Sequence, residues 1–183
     1  MNCWKTISVE NEFGKNRLWF LSALTMLMYF IVFFVIFSTF FNSAPLVDHG
    51  IIFLFTLLII VFPIHVLLHC MPIWLVGKKA RMRFRKGQWP FIYYSTKGPL
   101  SKQIAVLSTI SPALIITSGA ILVTITMPHL MHYTAMMSAL NIGICVYDFL
   151  NIKQLKAAPK NCFIEEHQDG YHILYQNQLA KSK

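Results

Sequence analysis

The chain is short of charge, and shortest of acid. Only 13% of its 183 residues are charged, and Asp and Glu together number 7. That charged fraction is about half of what a soluble domain carries, which excludes an ordinary water-exposed surface. The four cysteines, Cys3, Cys70, Cys145 and Cys162, form no C-x-x-C pair. Neither a disulfide framework nor a thiolate zinc knuckle is indicated, and the four read as plain reduced thiols. No basic strand-and-aromatic pattern of a nucleic-acid-binding fold occurs. The net charge of +9 therefore points to cytoplasmic loops and anionic headgroups rather than to nucleic acid. No small-residue cleavage site follows the first apolar run, which reads as a retained anchor.

What the chain has instead is apolar length. Hydrophobic residues make up 56% of it, gathered in four runs: 18–41, 51–77, 104–127 and 133–150. Each is long enough to cross a bilayer as a helix. The expected architecture is an all-α polytopic membrane protein with four transmembrane helices and a small cytoplasmic β-hairpin element. Residues 1–17 form a polar N-terminal segment, 18–150 the four-helix membrane domain, and 151–183 a cytoplasmic tail.

Between the second and third runs lies a connector, 78–102, with Lys78, Lys79, Arg81, Arg83, Arg85, Lys86, Lys97 and Lys102 and no acid. The outer loops carry no Lys or Arg. The positive-inside bias then places the connector and both termini in the cytoplasm, with the chain integral to a membrane. The connector is expected to touch anionic lipid headgroups. Alternation of Arg81, Arg83 and Arg85 with Met82 and Phe84 suggests a short strand. Trp89, Pro90, Phe91, Tyr93 and Tyr94 suggest a hairpin or re-entrant segment at the interface. In the tail, Asp169-Gly170 between apolar residues predicts a hairpin that pairs with the connector.

Ionisable side chains inside apolar spans are costly and mark function by default. The second run holds His65 and His69 in the sequence His65-Val66-Leu67-Leu68-His69. Histidines four apart lie about 40° apart on one helix face, the spacing by which one helix offers two imidazoles to one metal ion. Pro63 and Pro72 flank them, and Pro72 is expected to end or bend the helix near Met71. The only acid within a span is Asp148, in the fourth run. Asn141 stands two turns before it on the same face. If the second and fourth helices pack, His65, His69 and Asp148 become a three-ligand set suited to zinc. Asn141 would then orient a ligand or touch a substrate backbone. His49, His129 and His132 fall on the opposite side of the membrane and read as interfacial. Read alone, the histidines could equally be interhelical hydrogen-bonders, and Asp148 could pair with Lys153 or the basic connector.

The residues also carry a resemblance. The histidine pair, Ser111-Pro112 in the third run, Asn141 followed by Asp148, and a tail from Pro159 to Gly170 resemble a bacterial membrane family described as putative zincin peptidases. That family is similar in outline to site-two-type intramembrane proteases, with H-E-x-x-H on one helix and an Asp on another. The resemblance implies His65, His69 and Asp148 as zinc ligands. The general-base position, however, is Val66, which cannot take a proton from zinc-bound water. No catalytic residue is assigned. The expectation is a zincin-like membrane protein without efficient peptidase activity that retains a metal or binds a membrane peptide or protein. Two alternatives stay open: an active metallopeptidase with an unusual base such as Glu165 or Glu166, and a non-catalytic interaction protein with no metal.

Overall fold

The computed structural model describes residues 2–7, 9–41, 45–84, 92–96, 98–159, 162–167 and 170–175. After strand β1 (Asn2–Ile7) and a short helix α1 (Val9–Phe13) come two long helices, α2 (Lys15–Phe40) and α3 (Ile51–Leu75). Strands β2 (Ala80–Phe84), β3 (Ile92–Thr96) and β4 (Leu100–Ser101) follow. Helix α4 (Lys102–Thr126), a single 3₁₀ turn (Pro128–Leu130) and α5 (Met131–Ala157) complete the bundle, and β5 (Cys162–His167) and β6 (Gly170–Tyr175) close the chain.

The four long helices are long and apolar enough to cross a membrane, α5 together with the turn before it. Twenty-five residues of helix reach about 38 Å, more than the roughly 30 Å of a hydrocarbon core. Their outer faces are apolar: Ile52 is 80% exposed, Leu75 79% and Phe40 76%. So large an apolar surface is the kind that lipid or a partner protein covers. The chain thus has four helices long and apolar enough to span a membrane, with small antiparallel strand pairs.

Helix α5 is the centre of the bundle and packs against α2, α3 and α4. It is also the least apolar span. Its buried positions include Ala135, Ser138, Ala139 and Gly143, small residues that allow close helix approach. At Gly143 a β-carbon would stand 3.1 Å from Met26 Cβ and 3.3 Å from the Ser22 carbonyl oxygen. The α2–α5 crossing therefore leaves no room for a side chain there.

All the strands sit at one end of the bundle. Strands β2 and β3 form one antiparallel pair, with Arg81 opposite Ser95 and Met82 opposite Tyr94. The other four form a sheet of order β1-β6-β5-β4. Beneath them, Cys70, Ile73, Leu100, Ala105, Leu155, Ile164 and Ile173 form a core that joins the helix ends to both sheets.

The expected strand at 81–85 and the tail hairpin are both present, and the tail pairs with the connector through Leu100↔Ile164. Arg85, Lys86, Trp89, Pro90 and Phe91, and the turn residues Gln168 and Asp169, lie outside the described residues. Three features differ from expectation. Helix α3 does not end near Met71 but runs through Pro72 to Leu75. Cys70 and Ile73 are wholly buried in the core there, and the Ser108 hydroxyl donates to the His69 carbonyl beside the proline, 2.6 Å away. Contacts from α4 and the buried core thus hold this turn of the helix in place. Helix α5 continues past Leu150 to Ala157, because Ile152 and Leu155 keep the inward-facing period and are buried. The polar N-terminal segment contributes β1, which pairs with β6 from Asn2↔Tyr175 to Ile7↔Tyr171.

Candidate metal centre

Three helices bring the site together. From α3 come His65 and His69, each 4% exposed; from α5 come Asp148 and the wholly buried Asn141; from α4 comes the wholly buried Ser108. The Nε2 atoms of His65 and His69 are 3.1 Å apart. Asp148 Oδ2 lies 3.3 Å from the first and 3.4 Å from the second. The three residues singled out in the sequence therefore meet at one point, and Asn141 stands behind them.

The hydrogen bonds of the other ring nitrogens fix where the lone pairs point. Asn141 Nδ2 donates to the Pro112 carbonyl, 3.2 Å away, which turns Asn141 Oδ1 toward His65. His65 Nδ1–H donates to that oxygen at 2.9 Å. His69 Nδ1–H donates to the Ser108 carbonyl at 2.8 Å. A neutral imidazole protonated at Nδ1 carries its lone pair at Nε2. Both rings thus aim bare nitrogens at each other and at a carboxylate oxygen.

Three acceptors at this separation repel one another unless a cation sits among them. Asp148 Oδ2 is buried and has no hydrogen-bond partner among the described residues. Donors that bind zinc at about 2.0–2.2 Å in a tetrahedron stand roughly 3.3–3.6 Å from each other. The observed separations of 3.1–3.4 Å come close to that spacing, so the residues fit a small divalent metal. The outer hydrogen bonds to Asn141 and Ser108 are the kind that hold ligating imidazoles in one tautomer and one orientation.

The Ser108 carbonyl is free for this role because of the sequence. In a helix it would accept the N–H of the residue four later, and that residue is Pro112, which has none. The proline in α4 thus creates the acceptor for His69, and its own carbonyl serves Asn141.

One residue near the candidate donors was not singled out from the sequence. Cys145, wholly buried, places its Sγ within 4.8 Å of the ligand atoms of both His65 and Asp148. Its position three before Asp148, on the same face of α5, was the available signal. From the strand layer, the Tyr94 ring stacks on His69, with centroids 5.1 Å apart and planes 29° apart. Val66 is buried and offers no proton acceptor. Glu165 is exposed on β5, where it opposes His172, and Glu12 is exposed and bonded to Gln154.

A second polar cluster marks the far end of the bundle. Tyr133 Oη–H donates to Asp48 Oδ1 at 2.9 Å and accepts the His49 backbone N–H at 2.7 Å. The His132 ring packs on Tyr133, and the His129 carbonyl accepts the Val47 backbone N–H. The Gly50 backbone N–H, 2.8 Å from Asp48 Oδ1, and the Tyr133 hydroxyl hold the Asp48 carboxyl below its ordinary pKa. None of these histidines joins the metal group.

Comparison with known proteins adds one match. A family model described as "putative zincin peptidase" covers residues 58–163. That range holds both histidines, Ser108, Pro112, Asn141, Cys145 and Asp148. No curated protein matches the chain, and no solved structure does.

Proposed function

The chain belongs to the family described as putative zincin peptidases, and from that membership we propose that it is a membrane-embedded zinc protein that does not hydrolyse peptides. One observation carries the reading: two imidazole nitrogens and a carboxylate oxygen converge within 3.4 Å, with both imidazole lone pairs directed inward. His65, His69 and Asp148 would hold the ion. A zinc ion at such a site supplies positive charge that can polarise a bound oxygen.

Hydrolysis needs more than the ion. A general base must reach the attacking water within about 3 Å. The position next to the first histidine, where the motif carries that acid, is Val66. Its isopropyl group accepts no proton, and its burial keeps water from that side. The protein therefore keeps the ligands of a zincin and lacks the group that drives the reaction.

In this reading the strand-bearing end faces the cytoplasm. The described Lys and Arg residues belong to that end, and the sequences of the loops at the other end have none; positive loops are retained on the cytoplasmic side. Anionic headgroups meet the connector 78–102, and a membrane peptide or protein is the partner of the bundle.

Metal analysis of the purified protein tests the proposal. Wild type should carry one zinc per chain, and His65→Ala and Asp148→Ala should carry almost none. Wild type without stoichiometric metal would overturn it. A peptide-cleavage assay then tests the role of Val66: activity should be absent in wild type and appear in Val66→Glu, and cleavage by wild type would refute the lost base.

A further inference from the structure

We infer that Cys145 is the fourth protein ligand, so that the metal is bound by two histidines, one aspartate and one cysteine. This rests on the metal site proposed above. Helix α3 offers its two donors four residues apart, and α5 offers Cys145 and Asp148 three apart. Both spacings put side chains on one helix face, one turn apart. The Sγ lies within 4.8 Å of the ligand atoms of His65 and Asp148. Sulfur binds zinc at about 2.3 Å against about 2.0–2.1 Å for nitrogen, so a bound sulfur stands about 3.5 Å from its co-ligands, inside that limit.

Charge favours the same arrangement. The imidazoles are neutral, and the aspartate and a cysteine thiolate each carry one negative charge. Together they neutralise a divalent ion. With water in the fourth position a net positive charge would remain buried among apolar helices, and uncompensated charge is costly there. Binding converts the Cys145 thiol to thiolate, and its proton leaves to the buffer. A metal deprotonates a coordinating thiol outright.

The consequence is chemical. A catalytic zinc site has three protein ligands and an open position for water, whereas a site with four protein ligands is closed and structural. Cys145 fills the position that hydrolysis would use. The missing base at Val66 and the closed coordination sphere then describe one condition, a zincin converted to a clasp between α3 and α5.

Cobalt(II) titration of the full-length protein in detergent tests this. Tetrahedral cobalt gives visible ligand-field bands, and a thiolate ligand adds an intense near-ultraviolet charge-transfer band. Wild type should show both, and Cys70→Ala should keep both. Cys145→Ala should lose the near-ultraviolet band while keeping ligand-field absorption, with affinity lower by a factor of about 10 or more. Ligand-field bands in wild type without the charge-transfer band would overturn Cys145 as a ligand and leave the three-ligand site standing. No cobalt binding at all would overturn the site itself. Both decisions come from the wild-type spectrum and need no variant to fold.

Discussion

His69 and Ser108 bind each other twice. The Ser108 carbonyl accepts His69 Nδ1–H at 2.8 Å, and the Ser108 hydroxyl donates to the His69 carbonyl at 2.6 Å. One contact aims the imidazole, and the other steadies the helix that carries it. The first depends on a carbonyl that Pro112 leaves without its helical partner. Pro112→Ala restores an N–H that competes for Ser108, so zinc affinity should fall about 10- to 100-fold while the bundle stays folded. Chelator competition checks this. Unchanged affinity would show that the proline does not set the orientation of His69.

Asn141 bridges all three helices of the site. Asn141→Leu leaves His65 Nδ1–H without its partner in a dry interior and takes the side-chain donor from the Pro112 carbonyl. Each unmatched polar group costs about 1–3 kcal/mol. The variant should melt lower than wild type and hold zinc about 10- to 100-fold more weakly. Asn141→Ser should recover part of the loss. Equal affinity in Asn141→Leu and wild type would remove Asn141 from the site.

A ligand that binds only the folded state stabilises it in proportion to the logarithm of its excess. At about 1,000 times Kd that amounts to roughly 4 kcal/mol. Stripping the metal with a chelator should therefore lower the melting temperature of wild type. The same treatment should leave His65→Ala unmoved. A shift of equal size in both proteins would place the chelator effect elsewhere.

The α2–α5 crossing is as close as side chains permit. Gly143→Val would drive its methyls into Met26 and the Ser22 carbonyl. Overpacking of this kind costs about 1–3 kcal/mol. The loss should appear in the unfolding midpoint, while zinc content per folded chain stays at the wild-type value. A wild-type midpoint would mean the crossing can relax.

At the far end of the bundle, Asp48 gives a pH signature. Its folded pKa is depressed, first by the Gly50 N–H and then by the Tyr133 hydroxyl. The stability it contributes is present above the ordinary aspartate pKa and is lost as pH falls through the lower folded value. Acid should therefore weaken wild type in that window, and Asp48→Asn should flatten the dependence. Melting curves across the acid range check this, and parallel curves would refute it.

How much of this was legible in the sequence varies by element. The spans were plain because a bilayer demands length and apolarity, and both are local properties. The histidine pair and Asp148 stood out because ionisable groups are rare in such runs. Cys145 did not stand out, since a buried cysteine is an ordinary small apolar residue until a neighbouring acid gives it a role. The acceptor made by Pro112 was hidden for another reason. A proline is read for the helix it disturbs, and here its effect is the carbonyl it frees. Strand β1 was illegible because Asn2–Ile7 has no alternating apolar pattern, and its partner lies at the other end of the chain.

That last pairing has a consequence for biogenesis. The first strand can find its place only after the last one has been synthesised, so no shorter nascent chain can complete the sheet. Strands made on opposite faces of a bilayer cannot pair. The β1–β6 ladder therefore registers the parity of insertion: a chain that has threaded the membrane an odd number of times leaves its two ends permanently apart.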